Sequence, residues 1–291
     1  MNSSPLSIGQ CASLACLLEV TAPKPGNVHR GADFEDATYL DFAASGMAIG
    51  PAMEAAAAGA PLGRTVLDAV AATRKLVGNN TNLGMLLLFA PLAKVPRDVP
   101  LRAGIGRVLD ELNAADADGV YRAIRLANPG GLGRVEEADV HAAPPANLLA
   151  AMRLAAGRDA IARQYANGFD DVLLKALPWL VEGVRRGWPL LEAIVHAHVR
   201  LMSELPDTLI ARKCGSALAQ ESADRAADVL RRGEPGDEGY HLALGDFDFW
   251  LRCDGHRRNP GATADLIAAA LFAGLRDGSI SFSSTRVSGR T

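Results

Sequence analysis

A polar loop leads directly into an apolar run in the stretch Gly78-Asn79-Asn80-Thr81-Asn82-Leu83-Gly84-Met85-Leu86-Leu87-Leu88-Phe89-Ala90-Pro91-Leu92. Asparagine and threonine side chains accept hydrogen bonds from free N–H groups at a helix start, so the loop predicts a capped helix over residues 83–92. The apolar run, residues 83–93, has eleven residues, far fewer than the ~20 that cross a bilayer. It therefore predicts a buried helix of a globular protein.

The composition around this stretch favours helices throughout the chain. Alanine recurs in every segment while aromatic residues make up only 5% of the 291 residues, and the 49% of hydrophobic residues can build a core. We expect an all-α fold with a single large helical domain over residues 1–278, a long connection at 135–145 and a flexible tail at 279–291. Apolar residues recur at helical spacings over residues 6–20, 36–48, 62–77, 101–113, 117–127, 147–155, 159–165, 170–186, 189–205, 216–232, 241–252 and 261–276.

Charge and cysteine usage narrow the class of protein. Thirty basic and 33 acidic residues leave a formal net charge of -3, which excludes the broad positive field of a nucleic-acid-binding protein and requires any phosphate site to be local. The four cysteines lack Cys-x-x-Cys spacing, so we expect reduced thiols. No basic residue precedes an apolar run at the start, unlike a signal peptide. These features predict a cytoplasmic protein without a membrane partner. The helix over residues 83–92 suits either the core or the seam of a homodimer.

Common active-site signatures are absent from the sequence. It contains no P-loop, no Gly-x-Ser-x-Gly and no His-Glu-x-x-His. Gly104 and Gly106 form a Gly-x-Gly without the strand or third glycine of a dinucleotide loop. His196 and His198 lie two apart in a predicted helix and point to different sides, which favours one packed and one solvated histidine over joint metal binding.

The first candidate site is the polar segment at residues 23–36. Two prolines stiffen it, Gly26 permits close approach of a ligand, and Lys24 and Arg30 supply charge for phosphate oxygens. Asp33 and Asp36, spaced i, i+3 at a predicted helix start, can share one face and hold Mg2+. The alternative is that the prolines end one helix and the acidic residues favour the dipole of the next.

Three further segments place polar and small residues at helix boundaries, where backbone N–H groups are free to meet anions. In the second, residues 78–84, the amides and hydroxyl suit a ribose, base edge or phosphate; the alternative is a helix cap with surplus polar residues. The third, residues 207–215, alone indicates an exposed salt-bridged turn. The fourth, residues 259–265, begins a helix with Pro260 and Gly261 and indicates an N-terminal cap. The glycine-rich residues 130–134 are a weaker candidate and indicate a turn.

In this order and separation the segments resemble the triphosphoribosyl-dephospho-CoA synthase family, whose members serve citrate lyase and malonate decarboxylase. The resemblance extends over roughly residues 10–275, and the succession of motifs carries it more than any single one. The matching residues are Lys24-Pro25-Gly26, Asn80-Thr81, Gly84, Gly168-Phe169, Ala176-Leu177-Pro178, Asp207-Thr208, Pro260-Gly261 and Ala264-Asp265.

The resemblance implies an all-α transferase that uses ATP as substrate. The 2'-hydroxyl of 3'-dephospho-CoA attacks C1' of the ATP ribose, adenine leaves, and the 5-triphosphoribosyl group is transferred through an oxocarbenium-like transition state. The implied cofactor is Mg2+, with Asp33 and Asp36 as metal ligands and Asp33, Glu35, Asp36 and His29 as catalytic candidates. The implied substrate-binding residues are Lys24, Gly26, Asn27, Arg30, Asn79, Asn80, Thr81, Asn82, Asp207, Thr208, Lys213, Asn259, Gly261 and Asp265.

The sequence also departs from the family pattern, which marks a divergent branch. The family has Asn-Thr-His-Lys-Gly where this chain has Asn-Thr-Asn82-Leu83-Gly, and it has an asparagine at the position of Leu209. The first loop is shorter here, and His29 is a candidate replacement for the missing histidine, with ordinary loop packing as the alternative. Two other functions stay open: a related enzyme of one-carbon cofactor biosynthesis of the tetrahydromethanopterin type, and a non-catalytic helical nucleotide-binding protein.

Overall fold

A computed structural model describes residues 6–129 and 145–281, and the regular secondary structure in these two ranges is helical. The predicted all-α fold is therefore confirmed. The α-helices, α1 to α15 in chain order, are Ile8–Thr21, Tyr39–Ala48, Gly50–Ala57, Leu62–Leu76, Leu83–Lys94, Leu101–Asp110, Ala114–Ala127, Leu148–Ala155, Ala160–Asn167, Leu177–Arg185, Leu190–Glu204, Thr208–Cys214, Ser216–Arg231, Glu238–Arg252 and Gly261–Asp277. A π-helical segment, Asp171–Ala176, precedes α10.

Three helices form the centre of the molecule. In α15 nearly every residue from Ala262 to Arg276 is buried, and α5 is buried along almost its whole length. Phe89 of α5 stacks on Phe272 of α15 with ring centroids 5.0 Å apart. Helix α1 packs on α15 from another side. Because its apolar side chains are enclosed by other helices of the same chain, α5 belongs to the core and not to the seam of a homodimer.

Two predicted boundaries differ from the structure for local reasons. The predicted helix over residues 36–48 begins only at Tyr39, because Thr38 and Asp41 form a capping box there. The predicted helix over 170–186 is divided into the π-helical segment and α10, and Pro178 lies in the first turn of α10, where a missing N–H costs nothing.

The start of α5 matches the sequence prediction, except that the capping hydrogen bond comes from Asn80 and not from the N-cap residue. Asn82 occupies the N-cap position without a capping hydrogen bond. Instead the Asn80 side chain accepts a hydrogen bond of 3.1 Å from the backbone N–H of Leu83. The polar loop thus starts the buried helix through a side-chain cap, as predicted.

Other expectations are met in part. All four cysteines are free, and His198 is buried while His196 is partly exposed. No helix within residues 6–129 and 145–281 is long and apolar enough to cross a membrane. The predicted turn at 130–134, all but the last residue of the predicted connection at 135–145, and most of the predicted tail lie outside the described residues.

Candidate functional site

The four polar segments singled out from the sequence meet around one cavity of about 1020 Å3. Its wall includes Asn27 and Asp36 from the first segment and Asn79 to Asn82 from the second. Lys213 of α12 and the start of α15 complete this side. Segments far apart in sequence therefore form a common site, and the volume exceeds the roughly 300–1,000 Å3 of pockets that hold a single drug-sized ligand.

The first loop, residues 23–36, is fixed to the cavity by α14. Asp248 accepts a hydrogen bond of 2.7 Å from the backbone N–H of Gly26, and Arg252 donates one of 2.6 Å to the carbonyl of Asn27. Gly26 has φ +74°, and a Cβ there would lie 2.9 Å from Leu251 Cβ, so only glycine fits this turn without strain. Helix α14 thus holds the loop in place on the cavity wall.

Asn27 brings an unpaired acceptor to the cavity. Its side chain is 6% exposed, and its Nδ2 donates to Asn259 Oδ1 at 2.6 Å. The Oδ1 atom of Asn27 is buried and has no donor among the described residues. A buried amide oxygen without a partner is costly, so this atom is suited to accept a hydrogen bond from a ligand.

The second loop, residues 78–82, is braced from both ends. The Asn79 side chain donates to the backbone carbonyl of Asp36, and Thr81 shares a 2.6 Å hydrogen bond with Ser45 of α2. Asn82 is buried and donates to Thr73 Oγ1 at 3.1 Å. Thr81 and Asn82 therefore join α2, α4 and α5, and Asn79 fixes the position of Asp36 at the cavity wall.

Asp207 ties two helix starts together. Its Oδ1 accepts from the N–H groups of Leu209 and Ile210 at 2.8 and 3.0 Å, and its Oδ2 accepts from Thr263 N and Oγ1 at 2.7 and 2.8 Å. Thr208 accepts a hydrogen bond from the N–H of Ala160 at the start of α9. Asp207 and Thr208, predicted to bind substrate, are thus occupied in fixing α9, α12 and α15 around the cavity.

The carboxylate of Asp265 lies where α15 meets the start of α5. A Cβ on Gly84 would lie 1.9 Å from Asp265 Oδ2, so only glycine at position 84 leaves room for this side chain. No group in the described parts of the chain donates a hydrogen bond to it. Burial, and then repulsion from Glu19, Asp207 and Asp159, raise the pKa of Asp265 well above its usual range. The raised pKa therefore favours the protonated form of this carboxyl group.

Positive charge reaches the cavity at several points, most of which the sequence analysis missed. Arg212 of α12 pairs with Asp159 at 2.6 Å, and both residues line the cavity beside Lys213. Arg158, directly before Asp159, lines it as well. Arg158 carries no sequence signal, because only the packing of α9 against α15 brings its connection to the site.

Lys24 is placed differently from the sequence expectation. Its side chain is 0% exposed and is absent from the cavity wall. Its Nζ forms an ion pair of 2.9 Å with Glu19 and donates to the carbonyls of Glu19 and Ala22 at the end of α1. All of this capacity is used inside the protein, so the ammonium group has no free direction towards a phosphate.

Five more predicted residues of the first loop also lie off the cavity wall: Gly26, His29, Arg30, Asp33 and Glu35. His29 Nδ1 accepts from the N–H of Gly31 at 3.1 Å, which is loop packing. Burial, and then the charge of Arg252, lower the pKa of His29. Asp33 accepts from the N–H of Tyr39 at 2.6 Å and so supports the start of α2. Among the acidic residues of this loop, Asp36 lines the cavity.

The acidic residues that line the cavity do not by themselves form a metal centre. Among the described residues, no three histidine, cysteine or acidic side chains are grouped closely enough to hold an ion. The predicted pair also separates, since Asp33 is turned to Tyr39 while Asp36 lines the cavity. A magnesium ion, however, is commonly bound by one or two carboxylates together with substrate phosphates. Asp36 fits that arrangement.

The opposite wall of the cavity is apolar and comes from α7, α8 and α9. Tyr121 and Ile124 of α7 face Met152 of α8 across it, and Ile161 of α9 lies beside them. The cavity therefore has one part lined mainly by apolar side chains of α7, α8 and α9, and another part in which amides, carboxylates and cations lie beside apolar residues such as Phe42 and Leu209.

The chain is similar to known proteins over most of its length. A family model described as ATP:dephospho-CoA triphosphoribosyl transferase (CitG) matches residues 5–282. Among solved structures, the chain is similar to a protein from Archaeoglobus fulgidus that is provisionally assigned as a triphosphoribosyl-dephospho-CoA synthase. The TM-score is 0.62 at 25% sequence identity, and the match covers 81% of this chain and 98% of the other. No curated protein sequence matches the chain significantly.

Proposed function

The chain belongs to the ATP:dephospho-CoA triphosphoribosyl transferase family, and we propose that the two-sided cavity is the place where it transfers the 5-triphosphoribosyl group of ATP. The chain is a transferase that moves this group to the 2'-hydroxyl of 3'-dephospho-CoA with release of adenine. The observation that supports the location best is the convergence of the four family-like segments on one cavity large enough for more than one ligand.

The triphosphate of ATP is bound by the cations at the start of α9 and the end of α12. Lys213 and Arg158 line the cavity there without a carboxylate partner among the described residues, and Arg212 is held in place by Asp159. Unpaired cations are free to bind phosphate oxygens, and the ion pair that holds Arg212 orients its guanidinium group for this contact. We therefore assign phosphate binding to these side chains and not to Lys24.

Asp265 is the acid that protonates the departing adenine. Adenine leaves more readily when a ring nitrogen receives a proton as the glycosidic bond breaks. Burial and the neighbouring carboxylates raise the pKa of Asp265 and so favour the protonated form that can donate to the base, and no described residue donates a hydrogen bond to its carboxyl group. Asp36 acts as the acceptor of the proton from the 2'-hydroxyl of the acceptor substrate. Two carboxyl groups in different environments thereby serve opposite proton-transfer roles.

We propose that Mg2+ binds together with the triphosphate and that Asp36 is its ligand from the protein. When bound, the ion supplies positive charge that neutralises the phosphates. Asn79 supports this role of Asp36, because it fixes the backbone of Asp36 at the cavity wall. We also propose that the reaction takes place in the cytoplasm. A homodimer remains a prediction.

The first test is a direct assay of the purified chain with ATP, Mg2+ and 3'-dephospho-CoA. We expect free adenine and a CoA derivative heavier by one triphosphoribosyl group, measured by liquid chromatography with mass detection. Asp36→Asn should nearly abolish adenine release, because the amide neither accepts the proton nor carries charge for Mg2+. Asp33→Asn is the control and should stay within a few-fold of wild type, since Asp33 lies off the cavity wall.

Two results would contradict this proposal. Adenine release that occurs only with a different acceptor would overturn the dephospho-CoA assignment. Full activity of the Asp36→Asn variant would remove the role of Asp36.

A further inference from the structure

The apolar side of the cavity has no role in binding ATP or in proton transfer. We define the apolar wall as Tyr121 and Ile124 of α7, Leu148, Ala151 and Met152 of α8, and Ile161 of α9. ATP presents a charged triphosphate, a polyhydroxyl sugar and a base with several hydrogen-bonding atoms. Burying these groups against apolar side chains leaves them without partners and costs free energy. The apolar wall therefore suits a different part of the substrates.

Helix α8 is oriented so that its apolar face forms this wall. Leu148, Ala151 and Met152 follow the i, i+3, i+4 spacing of one helix face, and all three line the cavity. Leu154 points away from it, since this side chain is 59% exposed and absent from the cavity wall. Helix α8 therefore turns an apolar face towards the open cavity and leaves another apolar residue in solvent.

The apolar wall is continuous with the polar side through the start of α9. Arg158 and Asp159 lie three and two residues before Ile161, and all three line the same cavity. A ligand that has a diphosphate at one end and a weakly polar chain at the other can thus lie along this boundary. Its chain would meet α8, and its diphosphate would lie on the polar side of this boundary, beside the cations assigned to the triphosphate of ATP.

We propose that the apolar wall binds the pantetheine arm of the acceptor. This inference rests on the proposed function, which supplies dephospho-CoA as the acceptor. Its arm carries a gem-dimethyl carbon and short methylene segments ending in a thiol, and it joins the adenosine through a diphosphate. Contact of these apolar carbons with the wall removes them from water and holds the acceptor 2'-hydroxyl in the polar half of the cavity. The wall thereby distinguishes dephospho-CoA from nucleotides that lack an arm.

The test places a charge on the apolar wall. In Met152→Glu, the carboxylate would have to be desolvated by the arm, so we expect the KM for dephospho-CoA to rise at least about 10-fold. The KM for ATP should stay within about twofold, because ATP does not touch this wall. Calorimetric titration with dephospho-CoA alone should show the same loss of affinity.

Leu154→Glu is the matched control, because it adds the same charge on the same helix outside the cavity. It should leave both KM values near those of wild type. If Met152→Glu does not fold, Met152→Gln replaces it, with a smaller rise expected for dephospho-CoA.

The outcomes separate this inference from the proposed function. Transfer to dephospho-CoA with an unchanged KM in the Met152 variants, or an equal rise of both KM values, would overturn the arm subsite and leave the function standing. Absence of adenine release by the wild type would overturn the function. In that case the calorimetric comparison of wild type with Met152→Glu still decides whether the wall binds the acceptor.

Discussion

Replacing Asp265 by asparagine is expected to lower kcat for adenine release by about 10^2- to 10^4-fold, the usual contribution of a positioned acid or base. Asparagine keeps the shape of the side chain but offers no dissociable proton to the leaving base. The KM for ATP should change by only a few-fold, because the cations that bind the triphosphate are untouched. Initial rates of adenine release from ATP in the presence of dephospho-CoA measure the effect.

Gly84→Ala tests the role of Asp265 by displacing its carboxyl group instead of removing its acidic proton. The added Cβ would collide with the Asp265 carboxylate, so the acid is retained but displaced, and we expect a loss of kcat of similar order. Asp246→Asn, an exposed acidic residue off the cavity wall, is the control and should have wild-type rates. A kcat for Asp265→Asn within threefold of wild type would show that Asp265 is not the acid.

Asp265→Asn should also stabilise the protein at neutral and higher pH. Unfolded Asp265 ionises near pH ~3.9, whereas burial and the neighbouring carboxylates raise its pKa in the folded protein. Between these two values the folded state binds more protons, so the free energy of unfolding of the wild type falls as pH rises. Asparagine removes this loss. The stability gain of Asp265→Asn, measured by urea unfolding, should therefore be larger at pH 8 than at pH 5, and an equal or smaller gain at pH 8 would contradict the raised pKa.

The second large effect is expected at the buried ion pair. Lys24→Met should reduce the free energy of unfolding by about 3–5 kcal/mol, because it leaves the carboxylate of Glu19 buried without its partner. Glu19 is 3% exposed, so water cannot replace the lost ammonium group. The carbonyls of Glu19 and Ala22 also lose a donor at the end of α1. Urea unfolding monitored by circular dichroism gives the change.

Lys94→Met is a matched control for this change, since Lys94 donates one hydrogen bond to the carbonyl of Ala60 and forms no ion pair within residues 6–129 and 145–281. We expect it to cost about 1 kcal/mol or less. The double variant Glu19→Gln/Lys24→Met should recover part of the lost stability. A Lys24→Met protein with wild-type stability and a raised KM for ATP would instead restore the phosphate contact predicted from the sequence.

The fold could be predicted well because local patterns decide it. The loop and apolar run at residues 78–92 predicted a capped buried helix, and the structure has α5 at Leu83–Lys94 with Asn80 as the capping side chain. Helix α12, Thr208–Cys214, was missed, because the charged residues of that segment also fit an exposed turn. Short helices depend on tertiary contacts that a local pattern does not contain.

The segments that form the site could be predicted from the sequence, but the individual side chains that line the cavity could be predicted less well. Asn27, Asp36, Lys213 and Asp265 line the cavity as expected. Lys24 and Asp33 do not, since each finds a partner inside the protein that sequence spacing does not reveal. Arg158 was missed for the converse reason: its neighbours in sequence are an ordinary helix connection, and only the packing of distant helices brings it to the cavity.

The pairing of α1 with α15 also governs the order of events during synthesis of the chain. Helix α1 emerges from the ribosome long before α15, yet it buries its apolar face against that later helix. Such non-local pairing slows folding and exposes apolar surface in the meantime. Glu19 and Asp265, which both line the cavity, lie on these two helices. The nascent chain therefore completes its substrate site only after α15 has been synthesised.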